Sequence, residues 1–396
     1  MKKIKLMFIV VTMFIAACVE TDIYLPAFPD MMAYFSVTEG EIQSLLSWNF
    51  AGICLVGPLY GPLSDTFGRK RPLIIALLLF LSGSLITLFT ASFDGMLWGR
   101  VLQGLGSGGC FVLGTAVLFD VFQKEEAVEA TSLLNTIIPI IMALAPLIGG
   151  YLNCAFGFRS NFLAITLLVV LSLIICCLLF KESLPAERRS PLEGKKILGD
   201  LKEMLSSAPF WQLTLAMSLP FAGYITFLSG TAVLFVVEFG MSKEVFPLIQ
   251  ALLLGGWVAG SLCLKKSLAK WGAPAIKRAG SLLSAVGGVV LGAATWLTPE
   301  SPGLLTAGMV FFAFGANWII GLYFPEGMEV FPNNKGMAAS ILTSARLCIA
   351  SAVLSLSSTL YNQSIYPLSF IVLATIGITI PILLIYEKAV KRSAVA

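Results

Sequence analysis

Glu20, Asp22, Arg100 and Arg346 are charged residues set in stretches otherwise apolar enough to cross a membrane. An ionised side chain at that depth costs several kcal/mol, so each must be protonated, paired or turned towards water. The chemistry open to such a carboxylate is the uptake and release of a proton. The chain contains no histidine, so proton exchange near neutral pH falls to carboxylates. Glu20 and Asp22 stand two residues apart, about 200° around a helix, and cannot both point squarely into one cavity. Either can bind a proton; the competing role for each is to cap or pair near the end of its helix. Arg100 can act as counter-charge to a carboxylate of the first span or hydrogen-bond loop carbonyls. Gln103, one turn further on, is a second cavity or support residue. Amide and aromatic side chains within apolar stretches complete the inventory: Trp48, Asn49, Asn135, Tyr224, Gln250, Trp257, Asn317, Trp318 and Tyr323. The amides are the stronger ligand candidates, because a buried amide needs partners, whereas an aromatic ring more often packs.

These residues require elements to hold them. Of 396 residues, 57% are hydrophobic and only 12% charged, against roughly a quarter charged in soluble domains. Mean hydropathy is +0.90. The composition predicts an all-α, polytopic membrane protein. Apolar stretches of about 20 residues predict twelve transmembrane helices, near 6–25, 42–60, 73–91, 96–119, 130–153, 160–180, 210–235, 246–264, 279–297, 303–324, 337–360 and 365–386. Six precede Lys181 and six follow Pro209. The expected organisation is therefore an N-terminal six-helix bundle over 1–181, a charged linker over 182–208 and a C-terminal six-helix bundle over 209–396.

Loop charge sets the expected orientation. With the N-terminus inside, 22 of the 26 Lys and Arg fall in cytoplasmic segments and external loops hold only Arg159 and Lys243. The positive-inside rule then puts both termini in the cytoplasm. The net charge of +4 reflects this topology, and nucleic-acid binding is not indicated. The eight cysteines have no metal-ligand spacing and are read as small hydrophobes; no metal and no cofactor is expected. The basic start and the apolar run into Cys18 imitate a lipoprotein leader, but apolar character continues past Cys18, so the segment is read as a first span. The run Gly104-Leu105-Gly106-Ser107-Gly108-Gly109 lies at membrane depth with no preceding strand. It is read as a helix-packing surface and not as a phosphate loop.

The loop between the second and third spans, Gly61-Pro62-Leu63-Ser64-Asp65-Thr66-Phe67-Gly68-Arg69-Lys70-Arg71-Pro72, follows the G-x-L-[SA]-D-x-x-G-R-[KR] pattern and resembles the corresponding loop of the major facilitator superfamily. Arg100-Val101-Leu102-Gln103-Gly104-Leu105-Gly106 matches the R-x-x-Q-G-x-G pattern of that superfamily's fourth helix, and Ala145-Pro146-Leu147-Ile148-Gly149-Gly150 matches its antiporter pattern with alanine for the first glycine. Thr21-Asp22-Ile23-Tyr24-Leu25-Pro26-Ala27-Phe28-Pro29 looks like the T-D-x-Y-L-P-A-x-P stretch of the bicyclomycin-resistance (Bcr/CflA-type) drug:proton antiporters. The second half carries a decayed copy of the loop, Leu262 to Gly272, basic but without aspartate.

The resemblance implies a proton-coupled secondary transporter, without enzymatic activity, working as a monomer in the bacterial inner membrane. It would export amphipathic drugs or small metabolites by alternating access. The alternative is export of one anionic metabolite, such as a carboxylate siderophore. Protons, a small-molecule cargo and the lipid bilayer are the implied partners. The resemblance favours Asp22 as the cavity-facing carboxylate, with Glu20 a departure from the pattern and Arg100 coupling protonation to cargo. Asp65, Arg69 and Asp120 are expected to form a cytoplasmic latch. Arg346 either pairs with Asp65 or Glu329 at that gate or forms a second cationic wall opposite Arg100. Asp22, Asn49, Arg100, Gln103, Asn135, Tyr224, Gln250, Asn317 and Trp318 are the expected cargo contacts.

Overall fold

The computed structural model describes the backbone of residues 2–122, 124–189, 194–242 and 244–395, with side chains described outside 2–3, 57–58, 119, 124–136, 139, 143, 188, 194–198, 333, 335–336 and 390–395. The chain separates into two compact units, Met1–Glu193 and Gly194–Ala396.

In the first unit, α1 (Lys2–Asp22) ends just before Pro26. Proline offers no N–H and disfavours helical geometry in the residue before it. The chain therefore makes a buried 3-10 turn, Leu25–Ala27, and restarts as α2 (Phe28–Phe35). The span expected over 6–25 thus stops at Asp22, which leaves Glu20 in the last helical turn. After α2 comes α3 (Glu39–Phe67), opened by a capping box in which Thr38 accepts from the Glu41 N–H and Glu41 accepts from the Thr38 N–H. The remaining helices of the unit are α4 (Lys70–Phe89), α5 (Phe93–Val121), α6 (Lys124–Phe156) and α7 (Arg159–Leu179). Helix α5 packs against α1, α3 and α4, while α1 also packs against α6 and α7. The α3–α5 approach is close enough that a Cβ on Gly104 would overlap the Asn49 carbonyl, and one on Gly52 the Val101 carbonyl. This is the small-residue packing expected between membrane helices.

The second unit contains α8 (Gly194–Ser206), α9 (Ala208–Val233, continued by a π-turn to Glu238), α10 (Phe246–Leu297), α11 (Pro302–Glu329), α12 (Lys335–Leu360) and α13 (Ile365–Val395). Part of the stretch expected as linker folds as α8, whose Met204 is buried with Phe210 and Met217 of α9. Helix α9 packs on α11, α12 and α13, and α10 on α11 and α13.

Among the described residues, nine helices are long and apolar enough to cross a membrane, and α3, bent by 43°, makes a tenth. Helix α10, 52 residues long, holds two expected spans and leaves helical geometry at Gly272 (φ 75°, ψ 163°). Ile140–Phe156 of α6 is a shorter apolar helix. All twelve expected spans are thereby placed on helices. Gly272 repeats the backbone state of Gly68 (φ 85°, ψ 165°) between α3 and α4, a left-handed turn that favours glycine. The decayed second copy of the loop pattern has lost its aspartate and kept its turn.

Candidate functional site

Glu20 and Arg100 are both fully buried, and Oε1 of Glu20 lies 2.8 Å from Nη1 of Arg100. Asn49 of α3 donates from Nδ2 to the same Oε1 at 2.6 Å and to the Arg100 carbonyl at 3.2 Å. The Arg100 Nη1 also donates to Oε1 of Gln103 at 2.7 Å and to the Glu20 carbonyl at 3.3 Å. Gln103 in turn donates to Ser84 Oγ (3.1 Å) and Thr87 Oγ1 (3.4 Å) of α4. The Tyr24 ring lies 4.4 Å from the guanidinium carbon, a cation–π contact. One polar network thus ties α1, α3, α4 and α5. It is incomplete: Glu20 Oε2, Arg100 Nε and Nη2, Asn49 Oδ1 and Tyr24 Oη are buried without a hydrogen-bond partner. In so buried a site, removing one charge of the pair strands the other at a cost of about 3–5 kcal/mol. Protonation of Glu20 is the chemical event that does this without a mutation.

Asp22, the carboxylate favoured by resemblance, is 3% exposed but stands apart from this pair. Its hydrogen bond comes from the Thr21 hydroxyl at 3.3 Å, and the structure places Glu20 against Arg100 instead. The reason is helical: α1 continues through Asp22, so the two side chains leave its axis in diverging directions.

Asp65, Arg69 and Asp120 come together in a second cluster. Arg69 holds Asp65 through Nη1 (2.6 Å) and Asp120 through Nε (2.8 Å) and Nη2 (3.3 Å), and Nη1 also reaches Ser64 Oγ. Ser183 donates to Asp120 Oδ2 at 3.0 Å. Sequence reasoning passed over Glu182, whose carboxylate accepts from the N–H groups of Arg69 (2.7 Å) and Lys70 (3.2 Å), and of Ser183 and Leu184 (both 3.1 Å). It caps α4, which has no acidic residue in its first turn and so takes its anion from another segment. That unmet N-terminus was the available signal. Partial burial pushes the Glu182 carboxyl up, but the Leu184, Arg69 and Lys70 N–H groups and the Arg189 charge outweigh it and hold the group below the usual carboxylate range. Each residue named in this cluster belongs to the first unit.

In the second unit, Tyr224 stacks on Trp257 with centroids 4.9 Å apart, and Phe221 meets Trp257 edge-on at 5.9 Å. Gln250 is fully buried with both amide atoms unpartnered. Trp318 donates from Nε1 to the Gly260 carbonyl at 2.9 Å, which ties it to α10 packing, and Asn317 is half-buried on α11. Asn135 lies on α6, and its side chain is outside the described ones. The expected pairing of Arg346 with Glu329 does not form; among the described residues of this unit no carboxylate pairs with it. Its guanidinium lies over Phe221 at 5.1 Å. Sequence reasoning also missed a cluster in which Lys277 pairs with Glu326 at 2.5 Å and Tyr323 donates to Glu387 at 2.7 Å. Lys277 is one of the 22 Lys and Arg of the expected cytoplasmic segments, and loop charge alone gives no sign of this pairing.

The sequence profile of the Major Facilitator Superfamily matches residues 10–355. The chain is 26% identical over 374 residues to multidrug resistance protein MdtL of Salmonella heidelberg (strain SL476), covering 94% of this chain and 92% of that protein. It is 24% identical over 367 residues to multidrug resistance protein D of Escherichia coli (strain K12), covering 91% and 90%. In fold it resembles the human organic anion transporter MFSD10 (TETRAN), with TM-score 0.72 and 16% identity over 97% of this chain and 99% of that one. A D-xylose-proton symporter matches equally, with TM-score 0.72 and 16% identity over 95% and 97% of the two chains. With nine apolar helices and a bent tenth among the described residues, a buried ion pair and a profile match across most of its length, the chain belongs to the major facilitator superfamily and is a multi-pass membrane transporter, not an enzyme.

Proposed function

We propose that the protein is a proton-coupled secondary transporter that exports amphipathic drugs or small metabolites across a bacterial inner membrane by alternating access. In this reading it works as a monomer with both termini in the cytoplasm. The single observation that carries it is the fully buried, partly unsatisfied Glu20–Arg100 pair. Glu20 is ionised and paired while cargo enters from inside. A proton from outside converts the carboxylate to the neutral acid, cancels the counter-charge of Arg100 and favours the alternative packing in which cargo leaves. Loss of that proton to the cytoplasm restores the pair. The membrane potential adds about 2.3 kcal/mol per charge per 100 mV. Asp22, buried nearby without a strong partner, is the second proton acceptor in reserve. The Asp65–Arg69–Asp120 cluster acts as a gate by holding the ends of α3, α4 and α5 together in one of the two states. The multidrug resistance proteins to which the chain is similar support this choice of cargo.

The test is a proteoliposome assay with an imposed pH gradient and a panel of cationic, neutral and anionic amphipathic compounds as cargo. Glu20→Gln should abolish uphill movement while downhill exchange continues, and Asp22→Asn should retain more activity than Glu20→Gln. Gradient-driven transport by Glu20→Gln at the wild-type rate would remove the carboxylate switch from the mechanism.

A further inference from the structure

We propose that Arg346 is the anion-binding residue of a cargo subsite within the second unit, and that this subsite takes a carboxylate or sulfonate carried on a flat aromatic body. The proposal rests on the transporter reading above and adds a substrate class to it. The chain has two intramembrane arginines, and they are treated oppositely. Arg100 is compensated by its own unit, with Glu20 at 2.8 Å. Arg346 has no carboxylate partner among the described residues of its unit, and its Nε is buried without any hydrogen-bond acceptor. A guanidinium left unpaired by its own unit is costly at membrane depth, so its counter-charge must come from beyond that unit, and a bound anion supplies it.

What surrounds Arg346 narrows that counter-charge. Its flat face lies against Phe221, 5.1 Å from the ring centroid, which leaves the N–H edge of the fork free to meet a planar oxyanion in a bidentate pair. Phe221 meets Trp257 edge-on, and Tyr224, one turn from Phe221 on α9, stacks on the same indole. These rings form a continuous aromatic wall beside the cation. Gln250 sits seven residues before Trp257 and so shares its face of α10, about 10 Å further along the axis. Its amide is fully buried, and both of its polar atoms are unpartnered. A cation, an aromatic wall and an unsatisfied amide fit an aromatic acid with a polar group at its far end. The uncompensated positive charge also disfavours a cationic ligand at this point.

The test uses the full chain in phosphatidylcholine vesicles at equal pH on both sides, with equilibrium binding of radiolabelled 1-naphthoate and of its neutral analogue 1-naphthamide. The naphthoate should bind at least about tenfold more tightly than the amide. Arg346→Gln should remove that preference without weakening amide binding, and Arg346→Lys should keep part of it. Equal affinity of the two probes for the wild-type protein overturns the proposal, whether or not Arg346→Gln folds. Unchanged naphthoate affinity in Arg346→Gln overturns it as well. So does displacement of naphthoate by phosphatidylglycerol at one lipid per protein, which would give the site to a lipid headgroup. Because binding is read without a gradient, a negative result leaves the Glu20 switch standing, and failure of the Glu20 test leaves this binding result intact.

Discussion

Asn49 shows how much of the site depends on one neutral side chain. Its Nδ2 serves both Glu20 and the Arg100 carbonyl, and a hydrogen bond to a buried charge contributes about 1.5–3 kcal/mol. Asn49→Ala should therefore lower stability by about that amount, read as a fall in the thermal unfolding midpoint in detergent. The same substitution in a Glu20→Gln background should cost less, because the charge that Asn49 serves is gone; a double-mutant cycle measures the difference. Additive costs would mean that Asn49 acts on packing alone. At this scale the sequence was informative about residue types. That Arg100 needs a carboxylate of the first span follows from the cost of burying charge. Which carboxylate it takes does not, because a two-residue spacing says only that Glu20 and Asp22 diverge. The rotation of α1 about its own axis, set by packing against α5, α6 and α7, selected Glu20.

At the scale of elements, the turn at Gly68 and the cap on α4 carry testable consequences. Glu182 caps α4 from 112 or more residues along the chain, and its carboxyl is held below its ordinary value of 4.5. The sign follows from linkage: a depressed folded-state value stabilises the fold above the unfolded value and is lost as pH falls through the folded one. Glu182→Gln should thus lower the unfolding temperature at pH 7. The gap to wild type should narrow as pH falls below 4.5 and through the lower folded-state value; a gap that stays constant with pH would show that the carboxylate charge is not involved. Gly104→Ala should destabilise by about 1–3 kcal/mol, the usual cost of overpacking, because its Cβ would overlap the Asn49 carbonyl. Thermal unfolding reads that cost too. The helical spans and the end of α1 before Pro26 follow from apolar length and proline chemistry. The break in α10 at Gly272 and the long-range cap on α4 are tertiary matters, visible in the chain only as a glycine in a decayed loop and as an uncapped helix start.

For the whole molecule, the distribution of Lys and Arg carries the orientation argument. A fluorescent reporter fused after Ala396 should fold and fluoresce in the cytoplasm, while a reporter active only after export should be silent there. The opposite pattern would invert the proton cycle proposed for Glu20. Separation into units Met1–Glu193 and Gly194–Ala396 also places the two intramembrane arginines in different bodies. Arg100 is compensated within its unit; Arg346 has no carboxylate partner among the described residues of its own, which is where the proposed ligand enters. Apolar stretch lengths determined by themselves that this chain crosses a membrane many times, because transfer into hydrocarbon is decided segment by segment. Which charges meet was decided only by the tertiary structure. Ion pairs such as Glu20–Arg100 span 80 residues of chain, and only helix rotation and packing bring such groups within a few ångströms or, as with Arg346, leave one without a carboxylate partner among the described residues of its unit.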